Sequence, residues 1–242
     1  MNIKSQHIEV SGIKVEVVRK NIKNLHLAVY PPSGRVRIAV PLRIDNDAAR
    51  LAVVSKLSWI KKRQAKFLGQ DRQSRREYIS GESHYYFGRR YRLRVTHADG
   101  PAHVFIRNKT FIDMQVPRNY TRDQRERLMY RWYRQELRNV LPVLVTKWEK
   151  KMRLKANELR IKRLKTMWGS CNPTAKRIWF NLELAKKSEL CVEYIIVHEL
   201  AHLIERNHGD RFIKLMDRFM PQWRSIREEL NKSPLAHENW SY

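Results

Sequence analysis

Apolar and polar residues alternate in four short segments at the start of the chain, as they do in half-buried β-strands. Gly12 separates the first two segments, and a Pro-Pro-Ser-Gly turn at 31–34 precedes the last. The pattern therefore predicts a small sheet built from segments 8–10, 13–17, 25–29 and 36–40.

A helical pattern follows this sheet. Asp45 has the position of an N-cap, and apolar residues recur at helical spacing from Ala48 to Phe67, so we expect one helix ending near Gly69. Alternation then returns between residues 78 and 116. It predicts four more strands, at 85–87, 91–95, 104–106 and 111–114.

The remainder of the chain reads as mostly helical. A capping box formed by Thr121 and Gln124 begins a helix that runs to Met152, and Pro142 should kink or split it. The other predicted elements are strands at 159–162 and 177–182 and helices at 189–205 (capped by Ser188), 210–221 and 223–230. The fold class is α+β, with a β-rich region over 1–117 and a mostly helical region over 118–242.

The charge balance is strongly basic. Fifty Lys and Arg residues oppose 24 Asp and Glu residues, which leaves a net charge of +26. A small domain needs only roughly 2 to 8 charges for solubility. A field of this size attracts polyanions, so a nucleotide or a nucleic acid is an expected partner. The alternative is that the basic residues, which are spread along the chain, form a solvated surface.

The number of cysteines and the hydropathy of the chain exclude several classes of protein. The chain has two cysteines, Cys171 and Cys191, not in a CxxC pair, which excludes a disulfide framework and disfavours a cysteine-built zinc site. No apolar run approaches the roughly 18 to 20 residues that cross a bilayer, and the first residues lack the apolar core of a signal peptide. We expect a cytoplasmic protein without membrane contact.

Residues 198–202 have the sequence His-Glu-Leu-Ala-His, an HExxH motif. Side chains four apart on a helix lie on one face, so His198 and His202 can bind the same ion. Glu199 lies about 100° round the helix from His198, beside the metal, where it can take a proton from a bound water. The motif predicts a catalytic zinc site with Glu199 as its base.

A catalytic zinc ion needs a third protein ligand. His208 lies six residues after His202, beyond the helical face, so the chain must turn back for its ring to reach the ion. Asn207 and Gly209 flank it, and both tolerate the left-handed conformation that such a turn would use. Glu205 is the alternative ligand, and His208 is the preferred one.

Several segments together resemble a known family. They are residues 165–172 with the sequence Lys-Thr-Met-Trp-Gly-Ser-Cys-Asn, residues 178–182, residues 194–203 and the pair Asn207-His208. Over residues 150–225 the chain resembles the YgjP-like metallopeptidases, relatives of SprT-like and other zincin proteins. The resemblance implies a zincin core, and thus a zincin-like catalytic domain over 118–242, with histidine ligands at 198, 202 and 208 and Glu199 as base. Glu205 stands where metzincins have glycine, and Gly209 stands where this family leads us to expect serine.

The predicted reaction is attack by a metal-activated water, with Glu199 as proton acceptor. The resemblance favours a peptide or protein substrate, and the strand at 178–182 would pair with it in extended form. The charge favours hydrolysis of a nucleoside triphosphate phosphoanhydride at the same zinc site, in which Arg177 would contact phosphate. A nucleic-acid-associated protein with a structural metal is a third possibility, disfavoured because a structural site has no use for Glu199.

Overall fold

The computed structural model describes residues 5–30, 33–68, 76–164 and 167–232. The chain divides into two compact units, one comprising Met1–Arg75 with Pro234–Tyr242 and the other Arg76–Ser233. Both α-helices and β-sheets are present, which confirms the α+β class. Among the described residues, none of the helices combines the length and the apolar character needed to span a bilayer.

The described part of the first unit comprises a four-stranded sheet and two helices. Its elements are β1 Ser5–Val10, β2 Ile13–Lys20, β3 His26–Tyr30, β4 Arg35–Pro41, α1 Asn46–Val54 and α2 Leu57–Leu68. The strand order is β1-β2-β4-β3, and the central strands β2 and β4 run parallel. The inward-facing valines of β2 pack with Ile38, Val53 and Ile60 in a closed core. All four predicted strands are present here.

The single helix predicted after Asp45 is two helices in the structure. Asp45 caps the first as predicted, because its carboxylate accepts a hydrogen bond from Ala48 N at 2.8 Å. The break comes at Ser55, whose hydroxyl donates to the Ala52 carbonyl at 2.9 Å. Such a local bond competes with helix continuation. The turn at Pro31-Pro32 and the predicted helix end at Gly69 lie outside the described residues.

The second unit begins with a sheet of the same topology as the first. Its strands are β5 Ser83–Tyr86, β6 Arg89–His97, β7 His103–Ile106 and β8 Phe111–Val116, in the order β5-β6-β8-β7. In both sheets the first two strands are joined by two residues with positive φ, Ser11-Gly12 and Phe87-Gly88. This is the type I′ hairpin, whose twist matches that of the strands.

Helix α3, Arg122–Met152, follows this sheet and begins at the predicted capping box. Pro142 does not split it: the helix is continuous over 31 residues, since buried Leu141, Leu144 and Val145 anchor the turns on both sides of the proline. The side chains of β6 and β8 share one core with α3 and the later helices. For this reason the compact units divide after Arg75, and the division at 117 into a β-rich region and a catalytic domain stays a prediction.

The remaining elements complete the second unit. They are β9 Glu158–Lys162, β10 Gly169–Asn172, β11 Arg177–Asn181, a 3₁₀-helix Leu182–Lys186, α4 Glu189–Ala201, α5 Asp210–Phe219 and α6 Trp223–Lys232. The strand order β10-β11-β9 places β11 in the centre of a small sheet. The turn between β5 and β6 is bound to the 3₁₀-helix, because Phe87 N donates to Ala185 O at 2.9 Å.

Candidate active site

The HExxH motif lies at the end of α4, a helix buried on nearly all sides. Ser188 caps its start as predicted, accepting from Cys191 N at 3.3 Å. A helix that is apolar all round belongs in a core. It ends at Ala201, four residues earlier than the sequence pattern predicted, so that His202 is its C-cap. The second histidine of the motif therefore stands where the chain leaves the helix.

The structure brings His198, His202 and His208 together. One ring nitrogen from each lies within 4.8 Å of the other two, and the Nε2 atoms of His198 and His208 are 3.1 Å apart. Two nitrogens on a tetrahedral zinc ion with bonds of 2.0–2.1 Å would be separated by about 3.3 Å. Nδ1 of His202 lies 3.0 Å from the Glu205 carbonyl. That contact orients the ring, as second-shell bonds commonly do for metal-binding histidines.

The turn that carries His208 back differs from the predicted one. Gly209 has φ −79° and ψ −171°, an extended conformation, and Asn207 also lacks a positive φ. Instead, Asn207 N donates to the Glu205 side chain at 3.2 Å, which closes the turn. The other carboxylate oxygen of Glu205 is 3.9 Å from Arg211. The Glu205 carboxylate is thus occupied by the turn and is not among the clustered donor atoms.

Burial favours the neutral form of His198 and of His208. It lowers the pKa of His198 to about 3, with further lowering from His202, His208 and Arg227. Burial is also the main cause of the lowered pKa of His208. A neutral imidazole has the free lone pair that a metal requires. The donor set therefore fits a divalent ion that takes nitrogen ligands.

Glu199, which follows His198 directly on α4, is a buried carboxyl group, 4% exposed. Burial raises its pKa to about 8. Its Oε2 atom has no hydrogen-bond partner within the described part of the chain. The backbone of Gly169 lies against the same side chain, so closely that a β-carbon there would be 2.5 Å from Oε1. Unsatisfied buried carboxyl groups of this kind are typical of functional sites.

Phe212 is a site residue that the sequence reasoning missed. Its buried ring contacts all three imidazoles, with centroid distances of 5.0 Å to His198 and 4.7 Å to His202 and His208. It lies on α5, a strongly amphipathic helix, four residues after His208, which precedes that helix. The spacing of four residues between His208 and Phe212, about one helical turn, was the signal in the sequence that could have identified Phe212.

Asn181 organises the loop before Gly169. Its side-chain amide donates to the carbonyls of Leu164 and Met167, each at 2.8 Å, and its Oδ1 atom accepts from Glu183 N. Lys165 and Thr166, the first residues of the family-like segment, lie outside the described residues. Trp168, which precedes Gly169, accepts from Asn181 N at 2.9 Å through its carbonyl. Asn181 thus fixes the backbone of Met167 and Trp168, which directly precede Gly169.

The strand predicted to pair with a peptide cannot do so. β11 is hydrogen-bonded on both sides, to β10 and to β9, so neither of its edges is open. Among the described residues, β10 and β9 are the two edge strands of this sheet, and the sequence Gly-Ser-Cys-Asn of β10 was not predicted as a strand. Arg177, the expected phosphate contact, forms an ion pair with Glu158.

Comparisons with known proteins identify a family for this chain. The model of the YgjP-like family, described as "YgjP-like, metallopeptidase domain", matches residues 23–233. The metallopeptidase zymogen of Pyrococcus abyssi abylysin is 20% identical, with a TM-score of 0.36 over 38% of this chain and 91% of that one. The jannalysin zymogen of Methanocaldococcus jannaschii is 21% identical, with a TM-score of 0.34 over 37% of this chain and 91% of that one. Among curated proteins no match is found. Because the family model spans most of the chain, the protein belongs to the YgjP-like family and is a metallopeptidase-type hydrolase.

Proposed function

We propose that the protein is a zinc-dependent peptidase in which His198, His202 and His208 hold the metal and Glu199 is the catalytic base. One observation carries the proposal. Three imidazoles are clustered, and the buried carboxyl group of Glu199, next to His198 in the chain, is not part of that cluster. A purely structural metal site would have no role for that carboxyl group.

The ligand set favours zinc over harder ions. Three neutral imidazole nitrogens suit zinc, whereas magnesium and calcium prefer oxygen donors. Three protein ligands also leave a fourth position open, as in catalytic zinc sites. When bound, zinc would act as a Lewis acid on the oxygen under attack.

Glu199 has the geometry of a proton carrier. It follows His198 directly on α4, and its carboxyl group points towards Gly169 of β10. From there it can accept the proton of an attacking water and later deliver it to the leaving amine. The surrounding burial excludes bulk water from this transfer.

A peptide substrate fits the open edge of β10. An extended peptide can add to a free sheet edge through main-chain hydrogen bonds. Gly169 belongs to β10 and touches Glu199, so a peptide alongside this strand would bring one of its bonds next to the base. The strand proposed to pair with the peptide is therefore β10 and not the segment 178–182.

Hydrolysis of a nucleoside triphosphate phosphoanhydride is the second candidate. It is supported by the net charge of +26, which favours anionic substrates. It would use the same metal and the same base. We rank it second because the free edge of β10 suits an extended chain better than a nucleotide.

The test is an assay of zinc-loaded protein against casein, a mixed peptide library and the four nucleoside triphosphates. Glu199→Gln should retain one zinc per chain and lose about 100-fold or more in rate. Undiminished turnover with zinc bound would refute the assignment of the base. Phosphate release without peptide cleavage would establish the second candidate instead.

A further inference from the structure

An open groove of about 830 Å³ lies along the first half of α3. Its lining includes Arg127, Arg131 and Arg134 from the helix and Arg163 from the segment after β9. None of these residues belongs to the histidine cluster or contacts Glu199 in the site described above. The groove is therefore a separate feature of the second unit.

The arginines of α3 form one continuous row. Arg127, Arg131, Arg134 and Arg138 follow each other at intervals of four, three and four residues, the spacing of a single helical face. The row extends for about 16 Å along the axis. Three of its members are exposed and Arg134 is half-buried, while the opposite face of α3 is packed in the core.

The positive charge of the groove is not neutralised by its own acidic residues. Asp123 and Glu126 also line it, and both carboxylates are already paired with Arg122. Arg127 and Arg131, by contrast, have no ion pair with any residue that the structure describes. Two exposed guanidinium groups one turn apart are thus available to a ligand.

Arg134 and Arg163, the other two arginines that line the groove, are held in place by contacts within the protein. Arg134 donates to the Ile161 carbonyl at 2.6 Å. The guanidinium group of Arg163 lies 4.2 Å from the centroid of the Tyr130 ring, a cation–π contact. Arginines whose orientation is set in advance lose less entropy when they bind.

We propose that this groove binds single-stranded nucleic acid through its phosphate backbone. Guanidinium groups bind phosphate in a bidentate manner, and a row of them matches a ligand whose negative charge repeats. The half-buried ring of Tyr120 at the groove offers a surface for a base. A basic groove that includes an aromatic side chain is the usual arrangement for single strands, whose bases are free to stack on protein.

The experiment is fluorescence anisotropy of the full, zinc-loaded chain with a labelled oligothymidylate of roughly 16 nucleotides. The double variant Arg127→Gln/Arg131→Gln should bind about tenfold more weakly, because two charge-assisted contacts are lost. The slope of log affinity against log salt should become shallower by about 1.4, which corresponds to two phosphate contacts on a single strand. Both arginines are exposed, so circular dichroism and thermal unfolding should match the wild type.

Arg43→Gln/Arg50→Gln is the matched control, because it removes the same charge from exposed positions of the first unit. It should bind the oligonucleotide like the wild type. The proposal is overturned if the groove variant keeps wild-type affinity and slope, or if the control loses as much affinity. A duplex or a polyglutamate of equal charge that binds as tightly as the single strand would also overturn it. Binding needs no catalysis, so this outcome is independent of the peptidase assay.

Discussion

Gly169 and Glu199 are 30 residues apart in the chain and touch at the site. A β-carbon on Gly169 would lie 2.5 Å from Oε1, 2.7 Å from Cγ and 2.8 Å from Cδ of Glu199. Real β-carbons essentially never approach other atoms so closely. The absence of a side chain at 169 is therefore what allows the carboxyl group of Glu199 to occupy its position.

Gly169→Ala should displace this carboxyl group without disturbing the histidines. The φ of Gly169 is not positive, so an alanine there meets steric contact and no backbone strain. A misplacement of about 1 Å can cost on the order of 100-fold in rate, and we expect kcat to fall by that order with zinc content unchanged. Steady-state kinetics and metal analysis of the same sample measure both.

Gly209→Ala is the matched control for this substitution. A β-carbon on Gly209 meets no atom within 4 Å, and its φ of −79° suits alanine. It should retain both zinc and activity. Equal loss of kcat in the two variants would show that the contact with Glu199 is not the cause.

The third ligand can be identified by zinc analysis. His208→Ala should lose most of its zinc after dialysis against a weak chelator, since two imidazoles remain. Glu205→Ala should keep about one zinc per chain, because the Glu205 carboxylate contacts Asn207 N and Arg211 and is not among the clustered donors. Full zinc in the His208 variant would exclude it as a ligand.

Removing the side chain of Asn181 should destabilise the second unit. Asn181→Ala leaves the Leu164 and Met167 carbonyls without their donor and removes the cap on the 3₁₀-helix. We expect the free energy of unfolding to fall by about 2 to 4 kcal/mol, measured by urea denaturation. Asn172→Ala, which removes one exposed turn bond, should cost less than about 1 kcal/mol. Similar losses in both variants would contradict the role assigned to Asn181.

Local geometry explains what the sequence could predict. The pairing of His198 with His202 follows from helix spacing alone, and the caps at Asp45, Thr121 and Ser188 each depend on a bond to a residue three positions away. In contrast, the contact between Gly169 and Glu199 depends on how β10 packs against α4, and no local pattern encodes it.

Tertiary pairing explains what the sequence could not predict. Gly-Ser-Cys-Asn has no alternation of apolar residues, and it forms β10 because β11 supplies a partner strand. The strands between 78 and 116 were recognisable, but their pattern did not reveal which core they would join. They pack with α3, and for that reason the compact units divide after Arg75.

Lys187 supports a prediction about the pH dependence of stability. Its side chain is buried, 7% exposed, with the ammonium group 5.2 Å from the centroid of the Trp168 ring. Burial is the main cause that lowers its pKa to about 8, and Glu183 opposes the shift. In the unfolded chain a lysine has a pKa of about 10.4. Between these values the unfolded chain binds a proton that the folded protein has released, so this group raises the free energy of unfolding as the pH rises.

Lys187→Met removes that titration while keeping a long, apolar side chain. At pH 7 Lys187 of the folded wild type is protonated, so the cost of burying its charge lowers the free energy of unfolding in full. Near pH 10.5 the folded protein holds Lys187 neutral, and almost none of that cost remains. The stability of the variant relative to the wild type should therefore decline by on the order of 3 kcal/mol between these pH values. Urea denaturation of both proteins across this range measures the difference, and the tyrosines and thiols common to both cancel. Lys150→Met removes an exposed ammonium group of α3 and is the control. A pH-dependent difference of the same size there would assign the effect to net charge and not to the burial of Lys187.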